Sequence, residues 1–302
     1  MRILLVGKRG QLGWELQRSL IPLGEVFAVD RQALDLSSPS TIGPAIEAIR
    51  PDVIVNAAAY TAVDEAETHH ELAAVVNATA VGELAIAARK LNALLLHYST
   101  DYVFDGLAEV PYRESIRPDP QTTYGRSKLA GEQAIADSGA DWLVFRTSWV
   151  YGTGGHNFLR AITKAACEQE VLRVVADQYG TPTAVRVLAD LSVQALRTVI
   201  QLRRTGDLSK LGLYHLTLRG ETTWHGFAQA IVSGVRARGV HGVRATRVDE
   251  ITSSDLTRAA RRPAYSVLDC SRFDAAFELA RPSWDQALGL VLDDMFRGSA
   301  AN

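Results

Sequence analysis

Cysteine is scarce in this chain: among 302 residues only Cys167 and Cys270 occur, each in an apolar or helical-looking context. A disulfide framework is thereby excluded, and a reducing, cytoplasmic setting is the expectation. Long apolar runs are also missing, since no stretch reads as the ~18 or more apolar residues that a membrane-spanning helix needs. The opening run Met1-Arg2-Ile3-Leu4-Leu5-Val6-Gly7 is too brief for a signal h-region and ends in glycine rather than at a small-residue cleavage site. Nor does either charge predominate: 32 Lys and Arg stand against 34 Asp and Glu, a formal net charge of −2. That balance argues against gripping nucleic acid or an anionic membrane through bulk charge, while leaving room for a local anion site. No His/Cys cluster suggests zinc; His69 and His70 are adjacent and read as solvated. What remains is an ordinary globular mixture, 47% hydrophobic and 22% charged. At ~100–200 residues per domain the length suits one large domain or two modest ones, enough to bury a core without staples.

The first half alternates short apolar runs with longer helical patterns. Residues 3–6, 26–29, 53–55, 94–97 and 143–145 read as strands, each the β-branched or leucine-rich run expected where helices cover both sheet faces. Helical patterns lie between them, at about 12–20, 41–50, 70–91 and 124–137. This alternation predicts an α/β fold, a doubly wound parallel sheet of Rossmann type built from right-handed crossovers. After Trp149 the rhythm changes. Residues 157–170, 185–201 and 222–238 look helical, 172–175 and 214–217 look like strands, and the stretch from Asp177 to Thr183 is a loop, with Pro263 and Pro282 as breakers further on. A second, smaller α/β domain is expected from 151–182 and 204–302, the larger one being 1–150 completed by the helix near 183–203.

The first strand runs into Gly7-Lys8-Arg9-Gly10-Gln11-Leu12-Gly13, and a helical pattern follows at once. One glycine permits the tight turn, another lets backbone approach a pyrophosphate, and the last lets helix pack on strand; the helix N-terminus then faces the phosphates with unpaired N–H groups. Glycines alone are a weak signal, but their place between a strand and a helix makes this one strong. Asp30 lies roughly 20 residues further on, where an acid can bind ribose hydroxyls, which suits NAD. The adjoining Arg31, with Lys8 and Arg9, suits a 2′-phosphate, although Arg31 reads equally well as a solvated loop charge. Asp35 and Leu36 are placed to flank an adenine ring. A central strand delivers Asn56-Ala57-Ala58-Ala59-Tyr60-Thr61, whose small side chains would let a cofactor lie against backbone; tight helix packing is the alternative.

Tyr124-Gly125-Arg126-Ser127-Lys128 places Tyr and Lys one turn apart on one helix face. An ammonium beside a phenol favours phenolate and lowers its pKa from ~10 toward working pH. A phenol so tuned can pass a proton to a carbonyl oxygen that is receiving hydride. The spacing is common by chance on surface helices, but Ser99-Thr100-Asp101 at the end of a preceding strand offers a hydroxyl, from Ser99 or Thr100, to hold the same oxygen.

Together these motifs resemble the extended short-chain dehydrogenase/reductase group and, within it, the dTDP-4-dehydrorhamnose reductase family. The likeness also takes in Arg146-Thr147-Ser148-Trp149-Val150-Tyr151, Asp177-Gln178-Tyr179-Gly180-Thr181-Pro182-Thr183 and Arg262-Pro263, and so covers nearly the whole chain. It implies a dinucleotide-binding domain, a smaller nucleotide-sugar-binding domain, and reduction of a C4 sugar ketone with NADPH, or NADH. By that likeness Tyr124 is the proton donor, Lys128 its pKa partner and a ribose ligand, and Thr100 the tuning hydroxyl. Gly10, Gln11, Leu12, Asp30, Asp35, Leu36, Ala59, Tyr60, Thr61 and Tyr98 match cofactor-contacting positions. Thr100, Asp101 and Trp149 match sugar-contacting ones, a flat indole suiting a sugar ring. Arg262 is placed to fork onto the substrate diphosphate, with Arg258 and Arg261 as rivals. Some relatives hold Mg²⁺ between subunits with glutamates; Glu15 is present, but Arg186 stands where a carboxylate would be wanted, so no metal ligand is expected, and a homodimer stays open. The resemblance leaves two other readings, a cofactor-retaining epimerase or dehydratase and a non-catalytic regulatory subunit.

Overall fold

A computed structural model describes residues 1–297. The apolar runs of the first half pair in parallel, and a later strand joins them, in the order Gly212–His215, Asp141–Thr147, Leu94–Thr100, Val53–Asn56, Arg2–Val6, Glu25–Val29. Every residue of Val53–Asn56 and of Leu94–Thr100 is buried, which is why these strands read as continuous runs rather than as alternation. From Arg2–Val6 the chain steps outward to Glu25–Val29, then crosses to Val53–Asn56 on the other side. That reversal leaves a crevice beyond the carboxyl ends of Arg2–Val6 and Val53–Asn56, where open α/β sheets bind ligands.

Gln11–Leu20 and Val185–Arg204 cover one sheet face; Ile42–Ile49 and Ala80–Lys90 cover the other. Val185–Arg204 buries Val185, Leu188, Ala189, Ser192, Leu196 and Val199, a stripe at three- and four-residue spacing. Burying one leucine of that stripe contributes ~1.5–3 kcal/mol. The helical pattern at 70–91 is interrupted: His70–Ala74 passes through a single π turn, Val75–Thr79, into Ala80–Lys90. Contrary to the sequence expectation, His70–Lys90 is long and apolar enough to cross a membrane, with a mean hydropathy of 1.4. Here its Val81, Leu84, Ala85 and Ala88 pack on the sheet.

The smaller lobe gathers Phe158–Glu168, Trp224–Ala237 and Trp284–Phe296 around the parallel pair Val171–Val175 and Arg247–Ile251. Trp284–Phe296, hidden behind the breaker Pro282 in the sequence, starts on a capping box formed by Ser283 and Gln286. Two segments expected in the smaller domain sit on the large sheet instead. Gly212–His215 is its edge strand, two residues earlier than the apolar run suggested, and Ser271–Phe277 inserts Phe273 and Phe277 into the same core. Both cysteines are free thiols.

Candidate active site

At the crevice, Gly7 takes φ +92, and a Cβ there would lie 2.8 Å from Ala58 N; a Cβ on Gly13 would lie 2.0 Å from Gly7 O. These two glycines are therefore required by the turn and by helix packing. Gly10 differs: an added Cβ would meet only Gly7 O, at 3.4 Å, so its outer side faces open space. Gly10 is the N-cap of Gln11–Leu20, and no side chain caps that end. Free N–H groups, a positive helix end and a bare backbone suit a pyrophosphate, so these residues fit a dinucleotide. The Gln11 side chain is engaged elsewhere, donating to His156 O and accepting from Asn157 Nδ2, which ties the loop at 152–157 to the glycine turn.

Asp30 pairs with Arg9 Nε at 2.8 Å and Lys8 Nζ at 3.7 Å. Burial pushes its carboxyl up, but the Gln32 N–H and the two cations outweigh that and hold it below its ordinary value. Arg31 is 81% exposed and leans on Asp35 at 3.6 Å. Leu36 points its side chain into the core beside Leu34 and Ile42, leaving backbone for any adenine contact. Ala59, Tyr60 and Thr61 follow the strand Val53–Asn56, and the Tyr60 peptide is clamped by Asn77, whose Oδ1 accepts from Tyr60 N (2.8 Å) while Nδ2 donates to Tyr60 O (3.0 Å) and Ser127 Oγ (3.0 Å). Asn77 is fully buried in the π turn, and the sequence reading missed it. A polar residue in the midst of an apolar helical pattern was the available signal.

Thr123–Asp137 starts where the Thr122 hydroxyl accepts from Gly125 N at 3.0 Å. Its first turn brings Tyr124 to the carboxyl end of Leu94–Thr100. Strand alternation decides between the two candidate hydroxyls. Ser99 faces inward and donates to Glu132, which is also gripped by Arg146 through Nε (2.9 Å) and Nη2 (2.6 Å). Thr100 donates to Asp101 Oδ1 at 2.9 Å, accepts from Tyr102 N at 3.2 Å, and lies close enough to the Tyr124 phenol to pull its pKa down. Burial pushes the Tyr124 phenol up to about 12, against the pull of Thr100 and with the Asp101 carboxylate adding to the rise. Burial likewise brings Asp101 up to about 6, despite the hydrogen bond from Thr100 and the nearby Ser266, and leaves its Oδ2 without a partner.

The expected Tyr–Lys couple is not formed here. Lys128 Nζ donates to Tyr98 O at 2.7 Å and lies 3.1 Å from His97 Nε2, so it does not lower the phenol. Its own amine is brought down to about 8 by burial, partly offset by Glu132. Tyr98 thus reaches the site through its carbonyl, while its ring packs against Phe145 in the core. Arg262 does not stand free for a diphosphate either. It bonds Asp64 Oδ2 at 2.5 Å, and Ala260 N bonds Asp64 Oδ1 at 3.0 Å, fastening this segment over the cleft next to Tyr102 and Thr122. Trp149 adopts φ +46, a left-handed conformation that costs a non-glycine residue ~1–3 kcal/mol. Its indole stacks on Trp224 at 3.5 Å with the planes 7° apart, a support absent from the sequence expectation. At the far end of the first helix, Arg186 lies between Glu15 (3.2 Å) and Asp294, occupying both carboxylates.

A profile described as the RmlD substrate binding domain matches residues 1–297. The chain is 47% identical to a dTDP-4-dehydrorhamnose reductase of Burkholderia thailandensis, over 98% of this chain and 99% of that one. It is 42% identical to the Salmonella typhimurium protein of the same name, over 98% of each. A Bacillus anthracis dTDP-4-dehydrorhamnose reductase solved in complex with NADP superposes with TM-score 0.86 at 33% identity, over 97% of this chain and 99% of that one. A Thermus thermophilus UDP-glucose 4-epimerase solved with NAD shares the fold, with TM-score 0.80 at 20% identity over 99% of this chain and 100% of that one.

Proposed function

The chain belongs to the dTDP-4-dehydrorhamnose reductase family, and from that premise we infer that it reduces the C4 ketone of dTDP-4-dehydro-L-rhamnose to give dTDP-L-rhamnose. NADPH, or NADH in its place, supplies the hydride when bound at the glycine turn. The chain's own residues handle position and proton. Tyr124 donates its phenolic proton to the oxygen that becomes the new hydroxyl. A phenol held near 12 stays protonated until that oxygen gains charge, so the donor is loaded at neutral pH. Thr100, whose one O–H goes to Asp101 at rest, can rotate that proton onto the tyrosinate left behind. Asp101, with an unpartnered Oδ2 and a pKa near neutrality, holds a sugar hydroxyl. Trp149, held between Trp224 and the Gly180 backbone, borders the sugar site and can turn its indole N–H to a hydroxyl.

The observation that carries this reading is the convergence of Thr100 and Tyr124 at one strand end, in a chain whose relatives bear the reductase name throughout their length. The test mixes the protein with NADPH and dTDP-4-dehydro-L-rhamnose and follows loss of reduced-nicotinamide absorbance. Oxidation that requires both protein and sugar is the expected result; a cofactor left intact by folded protein ends the reading. A parallel titration with NADH ranks the two nicotinamides.

A further inference from the structure

His97 has no exposed surface and lies in the middle of the Leu94–Thr100 strand, where its neighbours Leu94, Leu95 and Leu96 are aliphatic. Both ring nitrogens are engaged. Nδ1 lies 3.0 Å from Asn56 Nδ2, and Nε2 lies 3.1 Å from Lys128 Nζ. The orientation of the Asn56 amide is fixed independently, because its Oδ1 accepts from Ala58 N at 3.1 Å. The amide therefore turns its NH₂ toward the imidazole, and Nδ1 must accept. A neutral imidazole carries one donor and one acceptor, so the proton sits on Nε2 and points at the lysine. A second proton on the ring would face the Asn56 donor, and complete burial of the ring by itself pushes the imidazole well below its ordinary pKa.

An ammonium has three donors and no acceptor, so it cannot receive the His97 N–H; a neutral amine can, through its lone pair, while still donating to Tyr98 O. We propose that His97, oriented by Asn56, is a positioning residue that holds Lys128 as a neutral amine, turned away from Tyr124, until cofactor binds. This deepens the reductase reading and rests on it for the role of Lys128. The groups around the amine agree. Glu132, on the same helix, favours a proton on the amine, but its carboxylate is already gripped by Arg146 and Ser99, and burial outweighs it. Tyr98 contributes a carbonyl, and the Tyr124 phenol, a turn away, makes no hydrogen bond to Lys128. Burial has already brought the amine down, and the facing N–H moves it further the same way. Ribose hydroxyls and the negative charge that a dinucleotide would bring to the cleft would favour ammonium, so dinucleotide binding would draw a proton onto Lys128.

Two readouts on the intact protein test this without turnover. In ¹⁵N-histidine-labelled protein, His97 is expected as the neutral Nε2–H tautomer from neutral pH to about pH 9. An Nδ1–H tautomer or an imidazolium overturns the proposal. Calorimetric titration with NADPH, in buffers of different ionisation enthalpy at about pH 8, is expected to show uptake of a substantial fraction of a proton per site. The uptake is expected to fall by more than half in His97→Gln, whose amide can turn an oxygen toward an ammonium. Binding of NADPH by the unsubstituted protein with no proton exchanged overturns the proposal, as does equal uptake in both proteins. If His97→Gln does not fold, the tautomer and the unsubstituted titration still decide. Proton uptake without reduction of the keto-sugar would leave the His97 assignment standing and remove the reductase reading; reduction without uptake would do the reverse.

Discussion

At the nucleotide end of the cleft the chain offers backbone and a small paired charge cluster: the glycine turn, the uncapped start of Gln11–Leu20, and Asp30 held by the more exposed Lys8 and Arg9. At the reacting end it offers the opposite, a set of ionisable side chains whose pKa values desolvation has moved, the buried Asp101 and half-buried Tyr124 upward and the buried Lys128 downward. The first end works by shape, since a helix terminus binds phosphate without any side chain having to titrate. The second works by desolvation, which makes each group's charge state responsive to what arrives beside it. Function at one end should therefore fail through added atoms, and at the other through changed protonation.

The sharpest break of that contrast is Tyr124→Phe. Turnover should drop by ~10²–10⁴-fold, the usual worth of a positioned acid, while NADPH affinity measured by fluorescence stays close to the starting value. Next comes Asp101→Asn. Because Asp101 is raised to about 6 in the folded state from an ordinary 3.8, the fold binds an extra proton between those values. Stability from this carboxyl is present below the unfolded pKa and is lost as pH rises through about 6. Asp101→Asn should thus raise stability by ~1–3 kcal/mol at pH 8 in urea melts, with the gain fading toward pH 4, and should cost turnover at the same time. Equal melts at both pH values would show that burial is not what sets this carboxyl.

Gly10→Ala tests the shape end. Its Cβ would enter the space beyond the turn without meeting more than Gly7 O, so NADPH binding should weaken by ~10-fold with the melting temperature almost unmoved. Gly13→Ala, whose Cβ would collide with Gly7 O, should lower both. The smallest effect is expected from Arg31→Gln. An exposed arginine paired at 3.6 Å is worth ~0–1 kcal/mol, so NADPH affinity should change by only a few-fold and NADH affinity not at all.

The sheet was legible because helices on both faces force its strands into unbroken apolar runs, and the glycine turn because its spacing is a backbone requirement. The Tyr124–Lys128 spacing was legible too, but not where the lysine would point. That depends on His97 and the Tyr98 carbonyl, some thirty residues earlier in the chain, competing for one buried amine. Arg262 could be read as a cation near the cleft, whereas its partner Asp64 lies 198 residues away. The pressure to fill the large sheet's edge, which drew Gly212–His215 and Ser271–Phe277 out of the smaller lobe, leaves no local mark at all.

The late arrival of that edge has a consequence for synthesis. A nascent chain that has emerged only through the smaller lobe's first elements still presents Asp141–Thr147 as a bare flank with unsatisfied peptide groups. Such flanks recruit strands from other molecules. Until translation passes His215, a ribosome-tethered intermediate is thus the form most exposed to chaperones and to clumping, and stalling before Gly212 should harm yield more than stalling after it.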